Sequence, residues 1–300
     1  MPQVWRVRMR SGLEGVDHAA ARAFAVENGI VGAGWGLSDP PDPDPLPDKC
    51  SDADLYLQNA RLVFPDNQSM ERAAKIFSSQ MKIGDFCWMY DTHVGEYWCC
   101  RIDGGFEYRT GGKFDAYDLH MTRRCTWARA GAADAVPGVI RRAFAGSFGT
   151  VSPIVTSAVN AIEAAEIFLD LRQPIPNGDL FAVTGPEDLE DLVALYLQEQ
   201  DWLVFPSTAK TSMANYEFVL VNQETGERGA VQVKSGNVDY LEQHVAQDFD
   251  VFFVFLANPS AVIASEDERV RRIDQSKVEQ FARQNWRLLP RRLQARWPIN

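Results

Sequence analysis

What this chain lacks narrows its class first. It has no run of 18 or more apolar residues, so no transmembrane helix is expected. Its first residues, Met-Pro-Gln-Val-Trp-Arg-Val-Arg, form no secretory apolar core, and the cytoplasm is the expected compartment. Cysteine is scarce, with five residues at Cys50, Cys87, Cys99, Cys100 and Cys125 and no Cys-x-x-Cys spacing. An odd count without an export signal reads as reduced thiols, neither zinc ligands nor disulfides. His18, His93, His120 and His244 are scattered, and each is expected at a structural or surface position. There is no internal repeat, and only residues 39–48 are of low complexity. Positive charge is also short. Thirty Lys and Arg face 41 Asp and Glu, a net of −11, which argues against nonspecific binding to nucleic acid.

What is present suits an ordinary protein with real cores. Three hundred residues, 46% of them hydrophobic, suggest two domains. The charge is uneven. Residues 1–155 carry 17 basic and 19 acidic side chains, and residues 156–300 carry 13 and 22. Yet residues 269–296 hold nine basic side chains against only Asp274 and Glu279. That strip is either a solvated helix face or a phosphate-contacting surface, with Arg283, Arg287, Arg291 and Arg292 as the candidates.

The most informative stretch is Gly229-Ala-Val-Gln-Val-Lys-Ser-Gly236. On a strand, Gln232 and Lys234 share one face while Val231 and Val233 point the other way. Tyr216–Val221 reads as the preceding strand, and Glu224-Thr-Gly-Glu227 as a hairpin turn. Pairing across that turn brings Glu217 near Gln232 and Lys234. Upstream, Pro186-Glu-Asp-Leu-Glu190 opens a helix whose Leu189, Leu192, Val193, Tyr196 and Leu197 recur at helical spacing. Glu190 flanks that apolar stripe. A helix and the very apolar strand Val251–Leu256 are expected after Lys234.

This order resembles the PD-(D/E)xK nuclease superfamily, and in particular its Mrr-like restriction endonuclease branch, over residues 185–290. The resemblance implies a mixed sheet flanked by helices. It also implies a catalytic set of Glu190, Glu217, Gln232 and Lys234, with Mg²⁺ or Mn²⁺ held by Glu217, the Gln232 amide oxygen and the Val233 carbonyl. A hard cation with oxygen ligands suits phosphodiester hydrolysis, and Lys234 would act as a point cation. Two departures stand out. Glu217 occupies a position usually held by Asp, and Asn215-Tyr216 replaces the usual preceding residues. Without the upstream acids, Gln232 and Lys234 would read as an exposed pair on a half-buried strand.

The N-terminal half is different. Val4–Met9 alternates like a strand, and residues 16–29 read as a short helix ending at Gly29. Ile30-Val-Gly-Ala-Gly-Trp-Gly36 carries Gly32-x-Gly34, but Leu37 stands where a dinucleotide fingerprint needs its third glycine. A proline-rich loop follows instead of a helix, so no pyrophosphate site is expected. Residues 83–90 and 96–102 read as a strand pair, with further strands at Tyr108 and at 121–127. The Gly-Trp-Gly element and Lys82-Ile-Gly-Asp-Phe-Cys-Trp88 resemble PUA-like folds, in particular EVE-like domains. That resemblance implies a β-barrel over about residues 1–150 that accepts a flipped base on aromatic rings. Trp35, Trp88, Trp98 and Tyr90 are the candidate rings, with Tyr97 in reserve. The competing reading is that the tryptophans fill the core.

Together these imply a two-domain α+β or α/β protein. An EVE/PUA-like recognition domain spans 1–155, a helical linker 156–180 and an Mrr-like nuclease domain 181–300. The expected function is modification-dependent restriction: a metal-dependent endonuclease acting on base-modified, double-stranded DNA, as a homodimer where both strands are cut. Two alternatives stay open. One is a catalytically degenerate nucleic-acid-binding protein. The other is a nuclease effector whose N-terminal domain senses a nucleotide signal or a partner protein.

Overall fold

A computed structural model of the chain describes residues 1–37, 46–146, 149–155, 158–174, 176–209, 216–236, 239–241 and 248–299. The proline-rich loop expected at 38–45, His244 and Ser157 lie outside these residues, as does 242–247, part of the stretch between Lys234 and Val251 that holds the expected helix. The chain divides into two compact units, Met1–Gln173 and Pro174–Asn300. Both combine helices with a sheet, as expected of a mixed α+β protein. No helix among the described residues is long and apolar enough to cross a membrane.

The first unit begins β1 (Val4–Val7), α1 (His18–Glu27), β2 (Ile30–Ala33), β3 (Lys49–Cys50), α2 (Ala53–Val63) and α3 (Gln68–Lys75). It continues β4 (Phe86–Asp91), β5 (Glu96–Arg109), α4 (Lys113–Ala116), β6 (Met121–Gly131), α5 (Gly138–Ala145), β7 (Val151–Pro153) and α6 (Ala158–Phe168). Its sheet runs β2-β6-β5-β4-β1-β7, with β3 on the far end of β5. The sheet curls into a half-barrel rather than closing. The long β5 makes that curl, because its register on β6 shifts between Ile102 and Phe106. A Cβ at Gly104 would stand 2.7 Å from the Arg124 Cβ, so the bend needs a bare backbone there.

Local chemistry explains these elements. Asp17 caps α1 by accepting from the Ala19 and Ala20 amides at 2.9 and 3.0 Å, and Gly29 at φ +60° closes it. The β4–β5 hairpin turns at Gly95, φ +75°. The Lys82–Trp88 motif has a structural role. Buried Asp85 accepts from the Gln3 amide at 2.8 Å, the Trp5 indole at 2.9 Å and the Lys82 amide at 2.9 Å. Hydrogen bonds to a charged group are worth about 1.5–3 kcal/mol each. Asp85 thus ties β1 to the start of β4, which pair in parallel.

Alternation divides the sheet into two faces. Cys87, Met89, Cys100 and Ile102 join one core with α1, α2 and α3. Phe86, Trp88, Tyr97 and Cys99 join another with α5 and α6. Ala161, Ile162, Ala164 and Ala165 of α6 are buried in that second core beside Val4 and Trp88. The expected linker at 156–180 is corrected accordingly. Its helix is part of the first unit, because its apolar face covers the sheet, and the division falls between Gln173 and Pro174.

The second unit holds α7 (Leu180–Val183), α8 (Pro186–Glu199), β8 (Trp202–Val204), β9 (Phe218–Asn222), β10 (Arg228–Lys234) and β11 (Tyr240–Leu241). β12 (Val251–Leu256), β13 (Ile263–Ala264), β14 (Val270–Arg272), α9 (Gln275–Gln284) and α10 (Arg291–Arg296) follow. The sheet runs β14-β12-β10-β9-β8, with β10, β12 and β14 parallel and β8 and β9 antiparallel. Val231, Val233, Phe218 and Leu220 face a core shared with α8, α9 and α10. Ala230, Val219, Phe252 and Val254 face a second core on the other side.

Candidate functional site

Two places combine unusual backbone, buried polar groups and chemistry. The first is a cavity of about 470 Å³ in the N-terminal unit, lined in part by Arg10, Ser11, Trp35, Asp118, His120 and Thr150. Trp35 sits at φ +69°, a left-handed conformation that is an outlier for a bulky residue. Such strain costs on the order of 1–3 kcal/mol and persists only where the surroundings enforce it. Two buried tyrosines supply that enforcement. The Tyr56 hydroxyl donates to the Trp35 carbonyl at 3.1 Å, and the Leu37 amide donates to the Tyr108 hydroxyl at 3.0 Å. Tyr56 and Tyr108 stack on each other at 5.1 Å. Burial, with Tyr108 and Asp118 nearby, pushes the Tyr56 phenol well above its usual range, so it stays a donor.

The glycines beside Trp35 have an identifiable purpose. A Cβ at Gly34 would lie 2.6 Å from the Asp118 carboxyl carbon, and one at Gly36 would lie 2.6 Å from His120 Cε1. The backbone passes that close to both side chains, and only glycine fits. Asp118 itself is at φ +49° and accepts from the Ser11 hydroxyl at 2.6 Å. His120 Nδ1 lies 2.8 Å from the Arg109 carbonyl, which can only accept. Nδ1 therefore carries the proton, and in the neutral ring Nε2 is an acceptor. Nε2 stands 3.7 Å from Asp118 Oδ1. The cavity thus offers one half-buried indole and a buried edge of acceptors.

The expected aromatic cage is corrected. Trp88 is fully buried and packs at 6.2 Å against Phe168 of α6. Tyr90 packs on the same core, 4.6 Å from Tyr97 and 6.1 Å from Phe144. Trp98 packs with Trp35's core, on the opposite face of the sheet. Strand alternation separates Trp88 and Tyr90 from Trp98 and Trp35, and of the four only Trp35 lines the cavity. Asp118 and His120 were missed. Their signal was an Asp-x-His pair between a turn and the start of β6.

The second place lies on the β9–β10 hairpin. The Glu217 amide donates to the Val231 carbonyl at 2.7 Å, although Val231 is already the register partner of Phe218, so the chain steps out of the β9–β10 register at Glu217, just before β9. The Gln232 side-chain amide donates to Glu217 Oε1 at 2.6 Å, and Gln232 is only 4% exposed. Half-buried Lys234 is close enough to act on Glu217. Burial raises the Glu217 carboxyl above its usual range, while the Lys234 cation and the Gln232 hydrogen bond pull it partly back. Glu217, Gln232 and Lys234 therefore meet as expected, on the face away from α8. Glu190 is half-buried on α8, the helix that covers the other face. The Val233 side chain is in the core, leaving its carbonyl as the only ligand it could offer. Among the described residues, no group of three or more His, Cys, Asp and Glu could hold a metal ion.

The C-terminal basic strip is mostly engaged, which corrects the assignment of Arg292 to phosphate. Arg292 is 2% exposed and paired with Asp188 and Asp191 of α8. Arg296 is also buried, 3.6 Å from Asp188. Arg283 pairs with Glu279 at 2.6 Å and lies 4.9 Å over the Trp297 ring. Arg287 and Arg291 are exposed on the surface. No family model, curated protein or solved structure matches this chain.

Proposed function

We propose that this chain is a modification-dependent nuclease: the N-terminal unit takes up a nucleobase and the C-terminal unit hydrolyses a DNA phosphodiester bond. The resemblances to EVE/PUA-like and Mrr-like domains motivate this reading. The observation that carries it is the meeting of Glu217, Gln232 and Lys234 on one sheet face, with a carboxyl held half-buried beside a lysine. Few structural needs call for that grouping, and perturbed carboxyls concentrate at working sites.

The donor set is all oxygen: one Glu217 carboxylate, the Gln232 amide oxygen and the Val233 carbonyl. That suits Mg²⁺ or Mn²⁺ completed by substrate phosphate and water, since Mg²⁺ commonly uses one or two carboxylates. When bound, the metal would supply a Lewis acid to the phosphate. The chain's own groups do the rest. Gln232 holds Glu217 in place by donating to Oε1, which leaves the Gln232 oxygen open. Lys234 offers a fixed positive charge to the phosphate as negative charge builds on it. In the other unit, Trp35 provides a stacking face. Asp118 and His120 Nε2 accept from an edge rich in N–H donors, as the amino group of cytosine or adenine presents.

The test is digestion of base-modified phage DNAs beside unmodified DNA, with Mg²⁺ or Mn²⁺. Cleavage confined to modified DNA, and lost in Lys234→Ala with its fold intact, is the expected result. Full activity in Lys234→Ala sinks the site. A second reading, binding without cleavage, is favoured by the single carboxylate at the hairpin. Tight binding of modified DNA with no cut under either metal would establish it.

A further inference from the structure

The cavity around Trp35 has a neighbour. A groove of about 560 Å³ shares Thr150 with it and runs along α3, lined in part by Gln68, Ser69, Arg72, Lys75 and Gln80. Gln68, Arg72 and Lys75 recur at i, i+4 and i+7, so they form one face of the helix. The opposite face buries Met70, Ala73 and Ala74. In a protein of net charge −11, none of the groove's lining residues is acidic.

The two cations are also uncommitted. Arg72 and Lys75 are exposed, and neither is ion-paired among the described residues. The nearest acid in sequence, Glu71, is turned away and held by Arg61 at 2.8 Å. The far wall of the groove is fixed. Buried Arg6 donates to the Ser152 hydroxyl at 3.1 Å and to the Gly149 carbonyl at 3.0 Å. Arg10 lines the cavity on its side of Thr150. A pocket for a planar base therefore opens beside an acid-free, cationic groove with one wall held by hydrogen bonds, which is what a base and its flanking phosphates require together.

We infer that the α3 groove, through Arg72 and Lys75, holds the backbone phosphates of a nucleic-acid strand whose base enters the Trp35 cavity. The inference rests on the reading of that cavity as a base pocket. It moves phosphate binding from the C-terminal strip to the N-terminal unit.

The test uses the full chain and a fluorescein-labelled single strand of DNA about 12 nucleotides long, within the usual span of such sites. One central cytosine carries a 5-hydroxymethyl group, and an RNA of the same sequence forms a second arm. Anisotropy titrations over a range of salt compare wild type, Arg72→Gln/Lys75→Gln, Trp35→Gly and a charge-matched control, Arg129→Gln/Arg172→Gln. The control removes two exposed cations of the same unit that are already paired with Glu96 and Glu163. Arg72→Gln/Lys75→Gln should bind roughly tenfold more weakly near physiological salt. Its plot of log affinity against log salt should flatten by about 1.4, two phosphates at about 0.7 each. The control should match wild type. An unchanged slope in Arg72→Gln/Lys75→Gln, or an equal loss in the control, overturns the groove. Weakened binding by Trp35→Gly in that same experiment would leave the base pocket standing. A flattened slope with Trp35→Gly binding like wild type keeps the phosphate track and overturns the base pocket. No binding by wild type to either strand overturns both.

Discussion

Trp35 and Trp88 show how one residue type serves opposite ends. Trp88 is fully buried under α6, so Trp88→Ala should cost about 3–5 kcal/mol of stability. Trp35 is half-exposed and held at φ +69° by its neighbours. Trp35→Gly relieves that strain while removing some packing, so stability should change by about 1 kcal/mol or less. Binding to a modified base should weaken by about 1–3 kcal/mol, the value of one stacked ring. Thermal melts and binding titrations on the two variants separate a core filler from a ligand surface. Glu217 gives a second prediction at this scale. Burial raises its carboxyl in the folded state, so folding favours the protonated form. The stability this gives is full below the ordinary carboxylate range and is lost as pH rises through the raised value. Glu217→Gln should flatten that decline and raise stability at neutral pH, while abolishing cleavage. Chemical denaturation across acid to neutral pH checks it, and a variant less stable than wild type at neutral pH contradicts it.

At the scale of elements, α10 is held to α8 by charge inside the protein. Arg292 reaches both Asp188 and Asp191, and Asp188 also caps α8 by accepting from the Gly185 amide at 3.1 Å. Removing one partner of a buried pair costs about 3–5 kcal/mol because it strands the other charge. Arg292→Gln should therefore lower the melting temperature of the second unit without acting through DNA affinity. A stable Arg292→Gln protein with a shallower salt dependence of binding would return the residue to the phosphate surface. The two hairpins differ in purpose. The β4–β5 turn joins strands that only build the sheet. The β9–β10 turn sets a register that ends at Phe218 and Val231, and so brings the Glu217 side chain within reach of Gln232. A one-residue slip there would turn Gln232 and Lys234 into the helix-covered core.

For the whole molecule, the division between Gln173 and Pro174 makes a direct prediction. A chain ending at Gln173 should fold as a cooperative unit. One ending at Val155 loses α6, exposes Trp88, Val139 and Ile140, and should bind a hydrophobic dye and melt lower. Equal melting of the two would mean that α6 adds little to the first unit. The net charge of −11 also constrains the molecule as a ligand-binding surface. Cationic groups that face solvent without a carboxylate, such as Arg72 and Lys75, carry more weight against that background than an arginine-rich stretch read along the chain.

The sequence by itself determined what depends on near neighbours. The alternation of residues 229–234 and the polar turn before them were enough to place Gln232 and Lys234 on one face and Glu217 near them, because a short hairpin keeps its strands side by side, whereas the offset at Glu217 was not legible. The glycines around Trp35 marked a special backbone, though not what they make room for. Only the tertiary structure decided the rest. Asp118 and His120 meet Gly34 and Gly36 through pairing between β2 and β6, strands far apart in the chain. Trp88 and Tyr90 went to the opposite face from Trp35, because face assignment depends on which helices cover which side. The C-terminal arginines looked like one strip in sequence. Folding buried Arg292 and Arg296 against acids about a hundred residues away and left Arg287 and Arg291 at the surface. Charge counted along a chain says nothing of which charges face water, since that depends on contacts that only packing creates.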